Sequence, residues 1–428
     1  REMRQLLIQI ELNGENVYVG DIVGNDSKDA CFTYAEIYVN APEHRSISIS
    51  LPLMDRTFDA QATRNFFEGL LPEGFTRRCV AEWMHAEEND YLSILAGLGQ
   101  ECLGAIKVID ESIAEIKPEY RKLTNDEVKK LAKEGAAESA ELVTKSHLSL
   151  TGASGKVGLY YDGKHWFLPI GEAPSTHIVK QSHIRLKRIV WNEQLCLLTA
   201  KKLGIEISDS FIIHLGSAED EDVLFATKRY DRKMNDNCRR LDGMPVPYRL
   251  HQEDFSQALG IPSAEKYEKN NSGYLRKMFE VLRNYSVDPI TDQMKLWDIC
   301  VFNYLIGNTD NHIKNLSLIY SEDLKSIRLA PAYDIVSTMV YESSTEDMAL
   351  SIGGTYCIRD ITRESFEKEA RNVGLGNKMA MKRFDTMVEK FPDALRAAAN
   401  ELSRQGFDGI EELCELILKR NKSRGVVS

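Results

Sequence analysis

No stretch of the 428 residues stays apolar long enough to cross a membrane: the longest runs, Ser93–Gly99 and Ile299–Ile306, are short or broken by polar residues, far below the roughly 20 that a span needs. Positive charge is not in excess either. The net charge of −11 makes the surface as a whole repel phosphate polymers, so autonomous nucleic-acid binding is a poor first expectation. Cys-x-x-Cys pairs and short Cys/His clusters are absent. The eight cysteines are scattered, which excludes a zinc module and reads as reduced thiols in the cytosol. Residues Arg1–Arg4 lack the charged, apolar and small-residue succession of a secretory signal, so a cytoplasmic chain with no membrane partner is expected. Repeats and low-complexity tracts are lacking too. What is present is 43% apolar residues over a length that suggests two or three units, enough for a substantial core.

The first part begins strand-rich: Leu6–Leu12, the turn pair Asn13-Gly14, then Val17–Val19. Asn-Gly between alternating apolar runs is a strong hairpin signal. A further alternating run, Ser46–Leu51, precedes helical periodicity over Ala60–Leu70 and Thr76–Met84. This α+β unit carries no constellation of catalytic residues. Between Asp110 and Lys145 the composition shifts to Glu, Lys and Ala, with a helix expected over Asn125–Gly135 capped by Asn125, and the segment reads as a connector with a solvated face. Strands resume at Val157–Tyr161, His165–Leu168 and Thr176–Lys180, a helix follows over Val190–Leu203, and Val223–Lys228 closes the group. Beyond Asp254 the periodicity is helical, over Leu275–Tyr285, Thr291–Ile306, Glu364–Ala370, Lys378–Lys390, Asp393–Arg404 and Glu411–Lys419. The expected units are 1–112, 113–230 and 231–428. A β-rich lobe followed by a helical lobe is the arrangement of a bilobal nucleotide-binding enzyme.

The sharpest chemical feature is Gly307–Asn315, straight after the helix that ends near Ile306. Asp310 and Asn315 reproduce the Asp-x-x-x-x-Asn spacing of a kinase catalytic loop, where the Asp receives the substrate proton and the Asn holds Mg²⁺. A turn using Asp and Asn for local backbone hydrogen bonds fits the same residues. Downstream, the strands Leu316–Tyr320 and Ile327–Leu329 lead to Tyr333-Asp334-Ile335, and an Asp after that hairpin is where kinases place their principal Mg²⁺ ligand. Upstream, Lys180 ends a strand and suits a nucleotide phosphate, with Glu193 on the next helix as its acidic partner. The loop Ser149–Gly158 is glycine-rich, but Gly152 precedes Gly155 by three and Val157 follows Lys156, so it is neither a Walker A loop nor the usual kinase loop. Each piece has a bland reading. The joint order, Gly-rich loop, strand Lys, helix Glu, Asp-x-x-x-x-Asn and second Asp, points to ATP- and Mg²⁺-dependent phosphotransfer.

At these residues the chain resembles the HipA family of serine/threonine kinase toxins. The likeness runs through Leu148–Ala153, Thr176–Lys180, Lys228–Arg232, Arg249–Asp254, Gly307–Asn315 and Tyr333–Ile335, and in the first unit through Leu51–Leu53 and Asn65–Pro72. It implies an α+β, bilobal protein-kinase-like fold with a mixed α/β N-terminal part and a mainly helical C-terminal lobe. By the resemblance Asp310 is the catalytic base, Asn315 and Asp334 the Mg²⁺ ligands, and Lys180 the phosphate lysine. The nucleotide site drawn from it comprises Thr151, Gly152, Ala153, Ser154, Gly155, Lys156, Lys180, Lys228, Arg229, Tyr230, His312, Asn315, Tyr333 and Asp334. Lys228–Tyr230 would form the interlobe hinge against adenine. Self-inactivation by phosphorylation is implied at Ser149, where a phosphate's charge of about −2 would repel ATP; Ser146, Thr151 and Ser154 are nearby alternatives. The resemblance further implies a HipB-type helix-turn-helix antitoxin partner, DNA contact mainly through that antitoxin, and an aminoacyl-tRNA synthetase, such as that for glutamate, as substrate. Two other readings fit the same motifs: a small-molecule or lipid kinase of related fold, and a catalytically silent kinase-like binding module in a repressor complex.

Overall fold

The computed structural model describes residues 3–134, 155–183 and 185–426. β1 (Arg4–Leu12) and β2 (Glu15–Gly24) form a hairpin across Asn13 and Gly14. Both turn residues have positive φ, +51° and +82°, the requirement that makes Asn-Gly suit a two-residue hairpin turn. With β3 (Cys31–Tyr34) and β4 (Ile106–Ile109) they make a four-stranded sheet in the order β3-β2-β1-β4. The run Ser46–Leu51 differs from expectation. It is a turn closed by a Ser48–Leu51 bridge, because its polar groups serve a buried carboxylate: Ser48 Oγ and the Ile49 N–H donate to Glu253 at 2.5 and 3.1 Å.

The second sheet has six strands: β5 (Glu119–Lys122), β6 (Lys156–Tyr161), β7 (Trp166–Ile170), β8 (His177–Gln181), β9 (Ser210–His214) and β10 (Val223–Lys228), in the order β5-β7-β6-β8-β10-β9. Two of its strands depart from the sequence expectation. β9 went unread, and β5 lies in the segment taken as a solvated connector. Its outward Glu119, Arg121 and Lys122 are exposed while Tyr120 is buried, the charged edge that keeps a sheet from pairing further. The following helix, Asn125–Glu134, buries Val128, Leu131 and Ala132. Its cap is Thr124 and not Asn125: Thr124 Oγ1 accepts from the Glu127 N–H and Glu127 returns to the Thr124 N–H, both at 3.1 Å, a reciprocal capping box.

Helix Ile189–Lys202 crosses from this sheet to the helical lobe, which contains Tyr274–Tyr285, Pro289–Ile306, Arg363–Asn372, Asn377–Arg404 and Ile410–Ser423. Lys378–Lys390 and Asp393–Arg404, expected as two helices, are one 28-residue helix with Pro392 inside. Its buried stripe of Ala380, Phe384, Met387, Phe391, Leu395, Ala398 and Leu402 is continuous, and that burial outweighs the roughly 3 kcal/mol a mid-helix proline costs. A three-stranded sheet of Gln252–Asp254, Ser317–Tyr320 and Ile327–Leu329 leads into the helical lobe. The mixed α/β part and mainly helical lobe make the expected α+β kinase-like fold, with one connected apolar core running from β1 to the C-terminal helix.

The first unit is fastened to the rest by a buried ionic cluster. Glu101, fully inaccessible, faces the guanidinium groups of Arg229 (3.1 Å), Arg232 and Arg249 (3.3 Å). Asp231 pairs with Arg229 at 2.8 Å and accepts the Gly104 N–H at 2.7 Å, while Glu11 of β1 takes the backbone N–H of Arg249. Three buried arginines and three buried carboxylates thus meet, and the half-exposed Arg239 joins them at Glu11, 2.8 Å away. Removing one partner of such a set strands a buried charge. Glu101→Ala should therefore lower unfolding free energy by about 3–5 kcal/mol, a loss checked by urea denaturation.

Candidate active site

One face of the second sheet forms a roof. In β8, alternation sends Val179 into the core while Ile178 and Lys180 face a cavity. Lys156 of β6 and Phe225 of β10 pair in register with Lys180, and Thr227 with Ile178; all line the same cavity, as residues opposite one another across a sheet must. Lys180 Nζ donates to both Glu193 oxygens, at 2.9 and 3.1 Å, and also contacts Asp334 Oδ1. Burial works against the Lys180 ammonium, but the carboxylates of Asp334 and Glu193 outweigh it and raise its pKa. Burial alone would also raise Asp334; Lys180 and Lys156 reverse this and hold its carboxyl well below the usual range. Asp334 has φ +52°, a left-handed conformation that Asp tolerates better than most side chains and that concentrates at functional sites.

Below the roof, helix Pro289–Ile306 ends at Gly307, whose φ of +78° turns the chain back while its N–H reaches the carbonyls of Asn303 and Tyr304. The loop then closes on itself. Asn308 Oδ1 accepts the Asp310 N–H at 3.1 Å, and the Asp310 carbonyl accepts both the His312 N–H (2.9 Å) and Asn315 Nδ2 (2.8 Å). Asp310 and Asn315 are thus brought together, with the Asn315 oxygen left at the free end of its amide. The Asp310 carboxylate is exposed in the cleft, and desolvation by the surrounding walls raises its pKa. His312 caps the turn Ile313–Asn315, accepting the Lys314 N–H at 3.2 Å. Burial, assisted by Lys266, lowers its pKa to about 3, so its ring is neutral at physiological pH.

Two hollows meet here. The narrow cavity under the sheet runs past Leu103, Leu197 and Ala332 to Lys228–Asp231. The adjoining, roomier cleft holds Asp310, His312 and Asn315. Their common wall is Lys156, Lys180, Glu193, Lys314, Tyr333 and Asp334. Tyr230 and Tyr333 stack at 6.1 Å between ring centroids, and Tyr230 bonds Gln252. Lys228 is exposed. The Arg229 guanidinium turns away into the buried ionic cluster, so what Arg229 offers the cavity is main chain. Gly155 is buried beside Lys156; Ser146, Ser149, Thr151, Gly152, Ala153 and Ser154 lie outside the described residues.

Three participants escaped the sequence reading. Lys314 sits inside the Asp-x-x-x-x-Asn loop and donates to Asp254 at 2.9 Å. Glu73, from the unit read as chemically silent, enters the cleft 2.9 Å from Lys266 and 4.0 Å from Lys314. Tyr267 donates its hydroxyl to Asp310 Oδ1 at 2.6 Å. The motifs Arg249–Asp254 and Asn65–Pro72 ended at or beside two of these partners; nothing in the local sequence marked Tyr267.

The family model described as the HipA-like C-terminal domain matches residues 148–395, and the one described as the HipA N-terminal domain matches 10–109. The chain belongs to the HipA family. Among HipA-family and related sequences, it is 29% identical to the Sinorhizobium fredii protein Y4mE, over 90% of each chain. It is 25% identical to the serine/threonine-protein kinase toxin HipA of Shewanella oneidensis, covering 89% of this chain and 88% of that one. The solved complex of Shewanella oneidensis HipA with HipB and operator DNA gives a TM-score of 0.77 at 20% identity over 96% of both chains, a likeness of fold.

In this HipA-family site, Lys180→Met would leave Glu193 and Asp334 facing each other without the ammonium that bonds both, and with Lys156 alone of the sheet's two lysines near them. Without Lys180 both folded-state pKa values rise, so the variant's deficit grows as pH climbs through them. Thermal or urea unfolding should show Lys180→Met less stable than wild type already near pH 5, where the wild-type Asp334 ion pair is intact, with the deficit growing to about 3 kcal/mol or more at pH 8.

Proposed function

We propose that this HipA-family chain transfers the γ-phosphoryl group of ATP to a serine or threonine hydroxyl of a protein. The observation that carries the reading is the polar wall shared by the two hollows, with a narrow, largely apolar slot on one side and Asp310 on the other. Adenine suits the slot between the β8/β10 face and the Tyr230–Tyr333 pair. The triphosphate then points along Lys156 and Lys180 toward Asp334. On nucleotide binding Lys180 exchanges Asp334 for phosphate oxygens while Glu193 keeps it charged and aimed. Asp310 accepts the proton of the acceptor hydroxyl as it attacks, and the walls of the cleft limit water.

The donor set fits Mg²⁺: the Asp334 carboxylate and the Asn315 amide oxygen are hard oxygen ligands, and an ammonium already rests against Asp334. Those two residues would hold the ion, which supplies charge neutralisation of the phosphates. His312, neutral beside them, holds the loop in place and adds no opposing charge.

In the same reading the chain is the toxin of a toxin–antitoxin module. Its relative's name and the solved assembly of HipA with HipB and operator DNA support a HipB-type antitoxin partner; a helix-turn-helix antitoxin that carries the main DNA contact rests on the family resemblance. An aminoacyl-tRNA synthetase as substrate and self-inactivation at Ser149 rest on the family resemblance. Among the described residues no helix is long and apolar enough to cross a membrane.

Radiolabel transfer from [γ-³²P]ATP with phosphosite mapping, alongside calorimetric ATP binding, tests the assignment. Asp310→Ala should keep ATP affinity within a few-fold and lose transfer by about 10²–10⁴-fold, whereas Asp334→Ala should lose Mg²⁺-dependent nucleotide binding. Full transfer by Asp310→Ala would refute the catalytic-loop assignment.

A further inference from the structure

Tyr267 is 43% exposed in a chain that buries most of its large aromatics, yet it is held firmly. Its neighbour Lys266 pairs with Glu73 at 2.9 Å. On its other side Glu268 is buried, its N–H bonded to the Ala349 carbonyl at 2.9 Å and its carboxylate accepting from the Ser351 N–H and hydroxyl at 2.9 and 2.7 Å. Ala349 in turn donates to the Thr309 carbonyl at 2.9 Å, so the segment carrying Tyr267 is tied to the catalytic loop through strand Asp347–Ile352. The ring stands edge-on to His312, at 5.2 Å between centroids and 84° between planes. From there the hydroxyl donates to Asp310 Oδ1 at 2.6 Å, and it is the only side chain among the described residues that bonds this carboxylate.

A carboxylate on a short loop can rotate about its terminal torsion, which has a broad energy well. General-base transfer needs it fixed, since displacement of a reacting group by about 1 Å can lower a rate on the order of 100-fold. Backbone bonds hold the Asp310 main chain but leave the carboxylate orientation open; Tyr267 closes it. From this geometry we infer that Tyr267 is a positioning residue for phosphoryl transfer: its hydroxyl clamps one oxygen of Asp310 so that the other faces the acceptor. The inference rests on the reading of Asp310 as the base. The hydroxyl keeps its proton throughout; the acceptor's proton goes to the free oxygen of Asp310, the new bond forms between acceptor oxygen and γ-phosphorus, and ADP departs with the electrons of the broken bond.

The test compares Tyr267→Phe, which keeps the ring packed on His312 but removes the hydroxyl, with Tyr267→Leu, which removes both. Single-turnover transfer of label from [γ-³²P]ATP to protein and to water is followed against ATP concentration, with Asp310→Ala in parallel. The clamp predicts that Tyr267→Phe lowers the limiting rate about tenfold or more with the ATP concentration at half-maximal rate unchanged within about twofold, and that Phe fares no better than Leu. Three results would overturn it. Wild-type rate in Tyr267→Phe with loss only in Tyr267→Leu would make the ring a packing element. A faster rate in Tyr267→Phe would make the hydroxyl an occupant of the acceptor position. Unimpaired transfer by Asp310→Ala, or none by wild type, would remove the base that Tyr267 is inferred to hold, and so is distinguishable from failure of the clamp alone.

Discussion

Everything about the cleft depends on one buried ammonium. Lys180 stands inside the protein only because Glu193 and Asp334 surround it, and an unpaired charge there would cost several kcal/mol. Each partner comes from a different part of the architecture: a central strand of the six-stranded sheet, the helix that crosses beneath it, and the loop after the hairpin of the helical lobe. The ion group therefore ties the two lobes together and defines the boundary between the apolar slot and the cleft. A cation already sits against Asp334, and in the proposed reading a Mg²⁺ ion would take that place, cation for cation.

A second constraint fixes the junction after β10. Arg229 and Asp231, at that junction, are bound into the cluster with Glu101, Arg232, Arg249 and Glu11, which places the first unit against it. The same unit reaches the front of the cleft through Glu73, which faces Lys266 and Lys314. The N-terminal part is thus wired to the site at two ends, by charge pairs buried deeply enough that salt screens them only weakly. It is a structural participant in the cleft and no mere appendage.

Much of this was legible from the residues. Apolar periodicity marked the hairpin at Asn13-Gly14, helix Ile189–Lys202 and β10, because in each the local pattern and the tertiary burial agree. The spacing of Asp310 and Asn315 foretold their meeting, since a loop that returns on itself within five residues brings its ends into contact, and Lys180 did meet Glu193 and Asp334. Elsewhere tertiary context overrode local pattern. Ser46–Leu51 alternates like a strand but is bent by the Glu253 carboxylate; Pro392 reads as a break but is carried through by a continuous buried stripe; Glu119–Lys122 looks solvated because an edge strand shows its charges. Arg229 matched a hinge motif, yet its side chain faces the opposite way from the cavity. Lys314, Glu73 and Tyr267 were invisible for a common reason: their partners lie far off along the chain, and no spacing rule encodes such a contact.

The most direct test of the account is the crystal structure of the chain with Mg²⁺ and a non-hydrolysable ATP analogue. The account predicts adenine between the β8/β10 face and the Tyr230–Tyr333 pair, Lys180 moved from Asp334 onto the phosphates with its Glu193 contact kept, and the terminal phosphate facing Asp310. An analogue bound elsewhere on the molecule, with the Lys180–Asp334 contact intact, would contradict it.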